Sequence, residues 1–269
     1  MKRFLAVLML LAPFPAAAQD VSLSGDFRQG GLIRGQAPAG SEVRFLGRVL
    51  RQSPDGRFVF GVHRDFPANA TLSIRRPDGR VVSQTVAIAP RRYAVQRIDG
   101  LPGKMVTPSR KALKRIRADV AAVKQARAAD SALPDWQNGF DWPLVGVITG
   151  VYGSQRILNG EPRRPHYGID IAAPAGTPVR APAAGIVTLA QDLYFTGGTL
   201  ILDHGHGLNS TYSHLLTLAV AAGEPVTRGQ VIGTVGSTGR STGAHLDWRI
   251  NWFDQRLDPA VIAGPMPAR

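Results

Sequence analysis

Hydrophobic and polar positions divide the chain into two stretches of period two separated by one stretch of helical period. From about Val21 to Gln96, short runs rich in β-branched and aromatic residues recur: Glu42–Leu50, Arg57–His63, Ala70–Arg76 and Val81–Ile88. Pro54-Asp55-Gly56 and Pro77-Asp78-Gly79 separate them with turn chemistry. Strands so closely spaced predict a small N-terminal β-sandwich over residues 19–98. Between Pro108 and Ala129 the period lengthens. Leu113, Ile116, Val120 and Val123 fall on one helical face, Thr107 is placed to cap and Pro108 suits the first turn. The opposite face carries Lys111, Lys114, Arg115, Arg117, Lys124 and Arg127. This predicts a basic helix inside a linker of residues 99–141, packing its apolar stripe on a neighbour or shielding a groove.

From Trp142 to the end, strands return. Thr199–Asp203 and Leu208–His214 alternate around His204-Gly205-His206-Gly207, which predicts a hairpin whose turn histidines are solvated or bonded to nearby backbone. Glycine-punctuated strands continue through Val231–Gly236 to Ala244–Trp252. No βαβ alternation is present, so the second domain, residues 142–269, is predicted to be an antiparallel all-β layer. In the last strand His245, Asp247 and Arg249 share one face. Leu246, Trp248 and Ile250 share the other, and Trp248 and Trp252 are expected to pack inside.

Composition narrows the function classes. The 269 residues contain no cysteine, which excludes disulfides, thiolate metal sites and a cysteine nucleophile. A metal here must be held by His, Asp, Glu or water. The formal net charge of +13 favours an anionic partner. Lys2 and Arg3, the apolar run Phe4–Ala12 and the small residues Ala16-Ala17-Ala18 have the order of a secretory signal peptide, assigned to residues 1–18. Export to the periplasm or cell envelope is therefore expected, with no transmembrane segment after cleavage. Nucleic acid is then excluded as a partner, and anionic envelope polymer becomes the match for the basic surface.

Five of the six histidines lie between positions 166 and 245; His63 stands alone in a strand and receives no role. His166 and Asp170 offer one nitrogen and one oxygen donor suited to zinc, with Gly168 between them to permit a bend. His214 ends the run Tyr212-Ser213-His214-Leu215, and His245 and Asp247 follow Gly239-Arg240-Ser241-Thr242-Gly243. With Pro174-x-Gly176-Thr177-Pro178-Val179 and Arg228-Gly229-Gln230-x-Ile232-Gly233, this order resembles the lysostaphin-type (LytM-like) zinc metallopeptidases over about residues 143–260.

The resemblance implies a mainly β fold: a C-terminal antiparallel groove domain (duplicated hybrid motif, barrel-sandwich type), joined by the linking α-helix to the N-terminal sandwich. It implies Zn2+ as cofactor, peptidoglycan peptides as substrate, His166 and Asp170 as ligands, and His214 and His245 as the pair flanking the reactive water. The third ligand of the family pattern is a histidine, and here Asp247 stands in its place. Two arrangements are open: Asp247 completes a His-Asp-Asp zinc site, or it pairs with Arg249. In the second, the domain is a degenerate, non-catalytic module that binds wall or regulates a wall amidase. Arg156 and Arg164 are candidates for binding substrate carboxylates.

Overall fold

The computed structural model describes residues 21–100 and 108–268. The signal-peptide assignment and the Thr107 cap lie outside these residues. Among those described, no helix is long and apolar enough to cross a membrane.

The N-terminal strands form two small antiparallel sheets. Ser22–Gly25, Leu32–Gln36 and Arg57–Gly61 make one, and Arg48–Val49, Glu42–Phe45, Asn69–Arg75 and Val81–Ala87 make the other. Their alternating apolar residues meet between the sheets, where Ile33, Val43, Phe60, Leu72 and Ile74 are fully buried. This core continues into the C-terminal half without a break. Phe45 and Trp252 pack ring to ring at 5.8 Å. At Gly61 a Cβ would sit 2.6 Å from the Leu257 side chain, so the two halves pack closely there.

The C-terminal half is built on a ten-stranded sheet. Its centre runs Gly185–Leu193, Gly197–Gly205, Leu208–Leu218, His245–Trp252 and Ile169–Ala172, every neighbouring pair antiparallel. Register gives the two faces different chemistry. Leu200, Tyr212, Trp248 and Ile169 form one cross-strand row, each at most 1% exposed, and face the core. The adjoining row, Leu189, Ile201, Thr211 and Arg249, faces the other way. Trp248 and Trp252 pack inside as expected.

The helix spans Arg110–Arg127, with Ser109 as its N-cap accepting from the Ala112 amide at 3.3 Å. It lies across the second face of the sheet. Ala122, Val123 and Ala126 cover Leu189, Leu193 and Ile201. Val120, expected in the packed stripe, is instead 62% exposed, because contact concentrates on the smaller residues of the C-terminal turns. One pairing departs from the antiparallel expectation. Val95–Ile98 pairs in parallel with Gln155–Leu158, so this segment joins the edge of the C-terminal half beside the groove.

The hairpin histidines are corrected by the structure. His204 belongs to the strand Gly197–Gly205 and is 0% exposed; His206, in the turn at φ 53°, is 4% exposed. The N-terminal sandwich and the segment around Trp136 and Phe140 cover this end of the hairpin, which a turn motif alone does not reveal. His204 Nδ1 bonds to the Ala184 carbonyl at 2.7 Å and Nε2 to Ser210 Oγ at 2.7 Å. Burial pushes its pKa down to about 4. The unfolded chain, with histidine near about 6.5, therefore binds more protons than the native state between these values. Stability is expected to be full above pH 6.5 and to fall on acidification towards pH 4, by up to ~1.4 kcal/mol per pH unit for one histidine. Denaturant unfolding at stepped pH checks this: His204→Gln should have a visibly shallower slope than the parent.

Candidate metal centre

Asp170 and Asp247 are direct cross-strand partners, and Ser213 faces Asp247 from the other side. His166 lies just before the strand Ile169–Ala172. Its backbone is pinned by His166 N to Ser154 O at 2.8 Å and Gly153 N to His166 O at 2.7 Å. The chain therefore turns inward at Gly168, where a Cβ would meet Arg249 Cγ at 2.5 Å and Trp248 O at 2.6 Å. Close approach, rather than bending freedom, is what requires glycine at that position. His166 Nε2 comes to 3.1 Å from Asp170 Oδ1. The three predicted ligands, His166, Asp170 and Asp247, are all buried, and one donor atom from each lies within 4.8 Å of the others.

His214 needs a device that strand alternation does not supply. Ser213 shares the face of Asp247, so a regular strand would send His214 into the core. Instead His214 has φ 65°, at an irregularity of its strand, and its amide donates to Thr196 O at 2.7 Å. A non-glycine residue in this region costs about 1–2 kcal/mol. The result is a ring on the groove side, 4.7 Å from the ring of His245.

Hydrogen bonds fix both tautomers. His214 Nδ1 donates to Thr238 O at 2.7 Å, and His245 Nδ1 donates to Gly243 O at 2.9 Å. Each ring thus keeps the lone pair of Nε2 for the site. His245 Nε2 stands 3.9 Å from Asp170 Oδ1. Burial, only partly opposed by Asp247, pushes His214 down to about 4, so its ring is neutral at pH 7.

Both carboxylates are ionised and each has an arginine. Arg249 grips Asp247 at both oxygens, Nε to Oδ1 at 2.8 Å and the terminal nitrogen to Oδ2. Burial would raise the Asp247 pKa, but Arg249 outweighs it and holds the carboxyl far below the usual range. At Asp170, burial is likewise outweighed, by His166 and by Arg156 bonded to Oδ2. Arg156, a candidate for substrate carboxylates, is thereby engaged within the protein. Residue spacing does not reveal this, because its partner lies fourteen positions away across a loop.

Whether these residues suit a cation is decided by what is left over. His166 Nδ1 is buried without a hydrogen-bond partner, and His166 Nε2 and Asp170 Oδ1, 3.1 Å apart, are buried with no partner beyond each other. Unsatisfied donors and acceptors of this kind carry a large desolvation cost unless something fills the space between them. One imidazole and two carboxylates are a suitable donor set for zinc. Each Asp247 oxygen bonded by Arg249 still has a second lone pair, so ion pair and coordination are compatible at that carboxylate.

Residues 164–259 match Peptidase family M23. Over these residues the chain carries an M23-type domain. It is 44% identical over 104 residues to a DD-carboxypeptidase/endopeptidase of Neisseria meningitidis serogroup B, covering 39% of this chain and 24% of that protein. It is 38% identical over 101 residues to the peptidoglycan DD-endopeptidase ShyA of Vibrio cholerae, covering 34% of this chain and 24% of that one. The match thus spans about a quarter of the length of these relatives. A Pseudomonas aeruginosa protein assigned to peptidase family M23 has a crystal structure similar over more of the chain. That likeness has a TM-score of 0.70 at 29% identity, over 89% of this chain and 96% of the other. All five site residues fall inside the M23 match, and the mainly β fold agrees with that family.

Proposed function

We propose that this protein is an exported zinc metalloendopeptidase that hydrolyses peptide bonds of bacterial peptidoglycan. The observation that carries the reading is the buried cluster of His166, Asp170 and Asp247 with His214 and His245 beside it. The M23 match and relatives named as peptidoglycan endopeptidases supply the substrate class.

In this reading His166, Asp170 and Asp247 hold the ion. A zinc ion in such a set would supply Lewis acidity at the scissile carbonyl and acidify a water molecule. The chain's own residues do the rest. His214 presents a neutral Nε2, with Nδ1–H committed to Thr238, and so accepts a proton from the attacking water. His214 then gives that proton to the leaving amine, while His245, oriented the same way by Gly243, flanks the reacting water from the other side. Arg156 keeps the Asp170 carboxylate ionised and in place, while Arg249 shares the Asp247 carboxylate with the ion. The groove between these residues has a volume of about 310 Å3 and is walled by Arg240, Ser241 and Thr242.

The bidentate hold of Arg249 on Asp247 favours a second reading, a metal-free module that binds wall without cutting it. Incubation of the purified chain with peptidoglycan sacculi separates the two. The peptidase reading expects soluble muropeptides with newly freed peptide ends, abolished by a chelator and restored by zinc. Wall binding without any release would leave the second reading standing.

A further inference from the structure

The strand His245–Trp252 continues past the metal centre on the same face. His245, Asp247, Arg249 and Asn251 follow one another along it, and beyond Arg249 a cavity of about 630 Å3 opens between sheet and helix. Phe195, Leu193, Val120 and Val123 give it an apolar wall. Its charge is unusual. Arg127 reaches in from the last turn of the helix and donates to Thr211 Oγ1 at 3.1 Å, while its Nε is buried with no partner. Arg256, opposite Asn251 in register, donates to the Asn251 amide oxygen at 2.7 Å. Among the described residues neither guanidinium has an ion-pair partner within 4 Å. Of the two acids lining the cavity, Asp119 accepts from the Tyr194 amide at 2.8 Å, and Asp254 lies on the exposed rim. Burial and mutual repulsion with Arg249 pull Arg256 down to about 10, and burial with repulsion from Arg256 and Arg249 holds Arg127 well below the usual arginine range. Two clustered arginines without an ion-pair partner cost folding energy, and an anionic ligand relieves that cost.

We infer that this cavity is a second substrate-binding site, in which Arg127 and Arg256 take a carboxylate of the peptide being cut. The inference rests on the peptidase reading. Asp247 and Asn251 are four strand residues apart, about 14 Å at ~3.4 Å per residue. An extended peptide covers that distance in about four residues. A substrate laid along the strand from the metal centre therefore delivers its third or fourth residue to the cavity, while the groove beside His245 takes the other side of the scissile bond. Guanidinium groups select a carboxylate over its neutral amide through charge-assisted hydrogen bonds. The linker helix thus becomes part of the binding wall through Arg127 and Val123.

Calorimetry on the full chain, stripped of metal to prevent turnover, tests this with purified disaccharide–tetrapeptide fragments of peptidoglycan. Three forms are compared: unmodified, amidated only at the peptide C-terminus, and amidated at all carboxyls. The unmodified form should bind at least ~10-fold more tightly than the fully amidated one, and the singly amidated form assigns the preference to terminal or side-chain carboxylate. Arg127→Gln and, independently, Arg256→Gln should each abolish the preference without changing zinc uptake. Equal affinity for all forms, or a preference that survives in both variants, would overturn the inference. Carboxylate-dependent binding with no cleavage by the zinc-loaded chain would reject the peptidase reading alone; cleavage without charge preference would reject this site alone.

Discussion

His214→Ala is expected to lose roughly 10²- to 10⁴-fold in the rate of peptidoglycan cleavage while still binding zinc, the range typical of a lost general base. Two features set this apart from a structural effect. His214 is not one of the three clustered donors, so its removal leaves His166, Asp170 and Asp247 unchanged. Its ring is already neutral at working pH and its Nδ1 proton is committed to Thr238, leaving one basic nitrogen facing the site. The substitution also removes a large side chain from a backbone position at φ 65°, so the melting temperature is followed alongside. A variant that cuts sacculi at the parental rate would remove His214 from the chemistry.

Asp247 and Arg249 should move metal affinity in opposite directions. Asp247→Ala deletes one of three donors and leaves a buried guanidinium next to the ion's position, so zinc affinity should fall by at least ~10²-fold. Breaking a buried ion pair costs about 3–5 kcal/mol, equivalent to roughly two to three and a half powers of ten. Arg249→Gln should lower the melting temperature of the metal-free chain for the same reason. Its zinc affinity should rise ~10-fold or more, because the carboxylate then has the metal as its remaining strong partner and a repelling charge is gone. Zinc titration followed by thermal melts reads both effects. If Asp247 served only as an ion-pair partner, Arg249→Gln would lower stability and leave zinc binding unchanged.

Much of the fold was legible because its determinants are local. Turn residues and alternation mark the N-terminal strands, and the alternation over 245–250 separates the groove face from the core face. The candidate metal cluster was legible because its residue types and order resemble those of a known family. Other features depend on contacts that sequence spacing does not encode. The φ of 65° at His214 follows from an irregularity between neighbouring strands, and nothing in Tyr212-Ser213-His214-Leu215 announces it. His204 looked like a turn residue, yet burial against Phe140 makes it a neutral core histidine. Arg127 and Arg256 are 129 positions apart in sequence and meet only because the helix crosses the groove face of the sheet. The open choice at Asp247 narrowed in a particular way. The structure shows the Arg249 pair directly, while the unsatisfied atoms of His166 and Asp170 leave a place for the ion beside it.

Elemental analysis of the purified chain, with Asp247→Ala prepared in parallel, tests the central claim most directly. About one zinc per chain in the parent, with a large loss in the variant, is the expected result. No zinc in the parent after exposure to a small excess of the ion, or equal zinc in both proteins, would contradict a His166-Asp170-Asp247 metal centre.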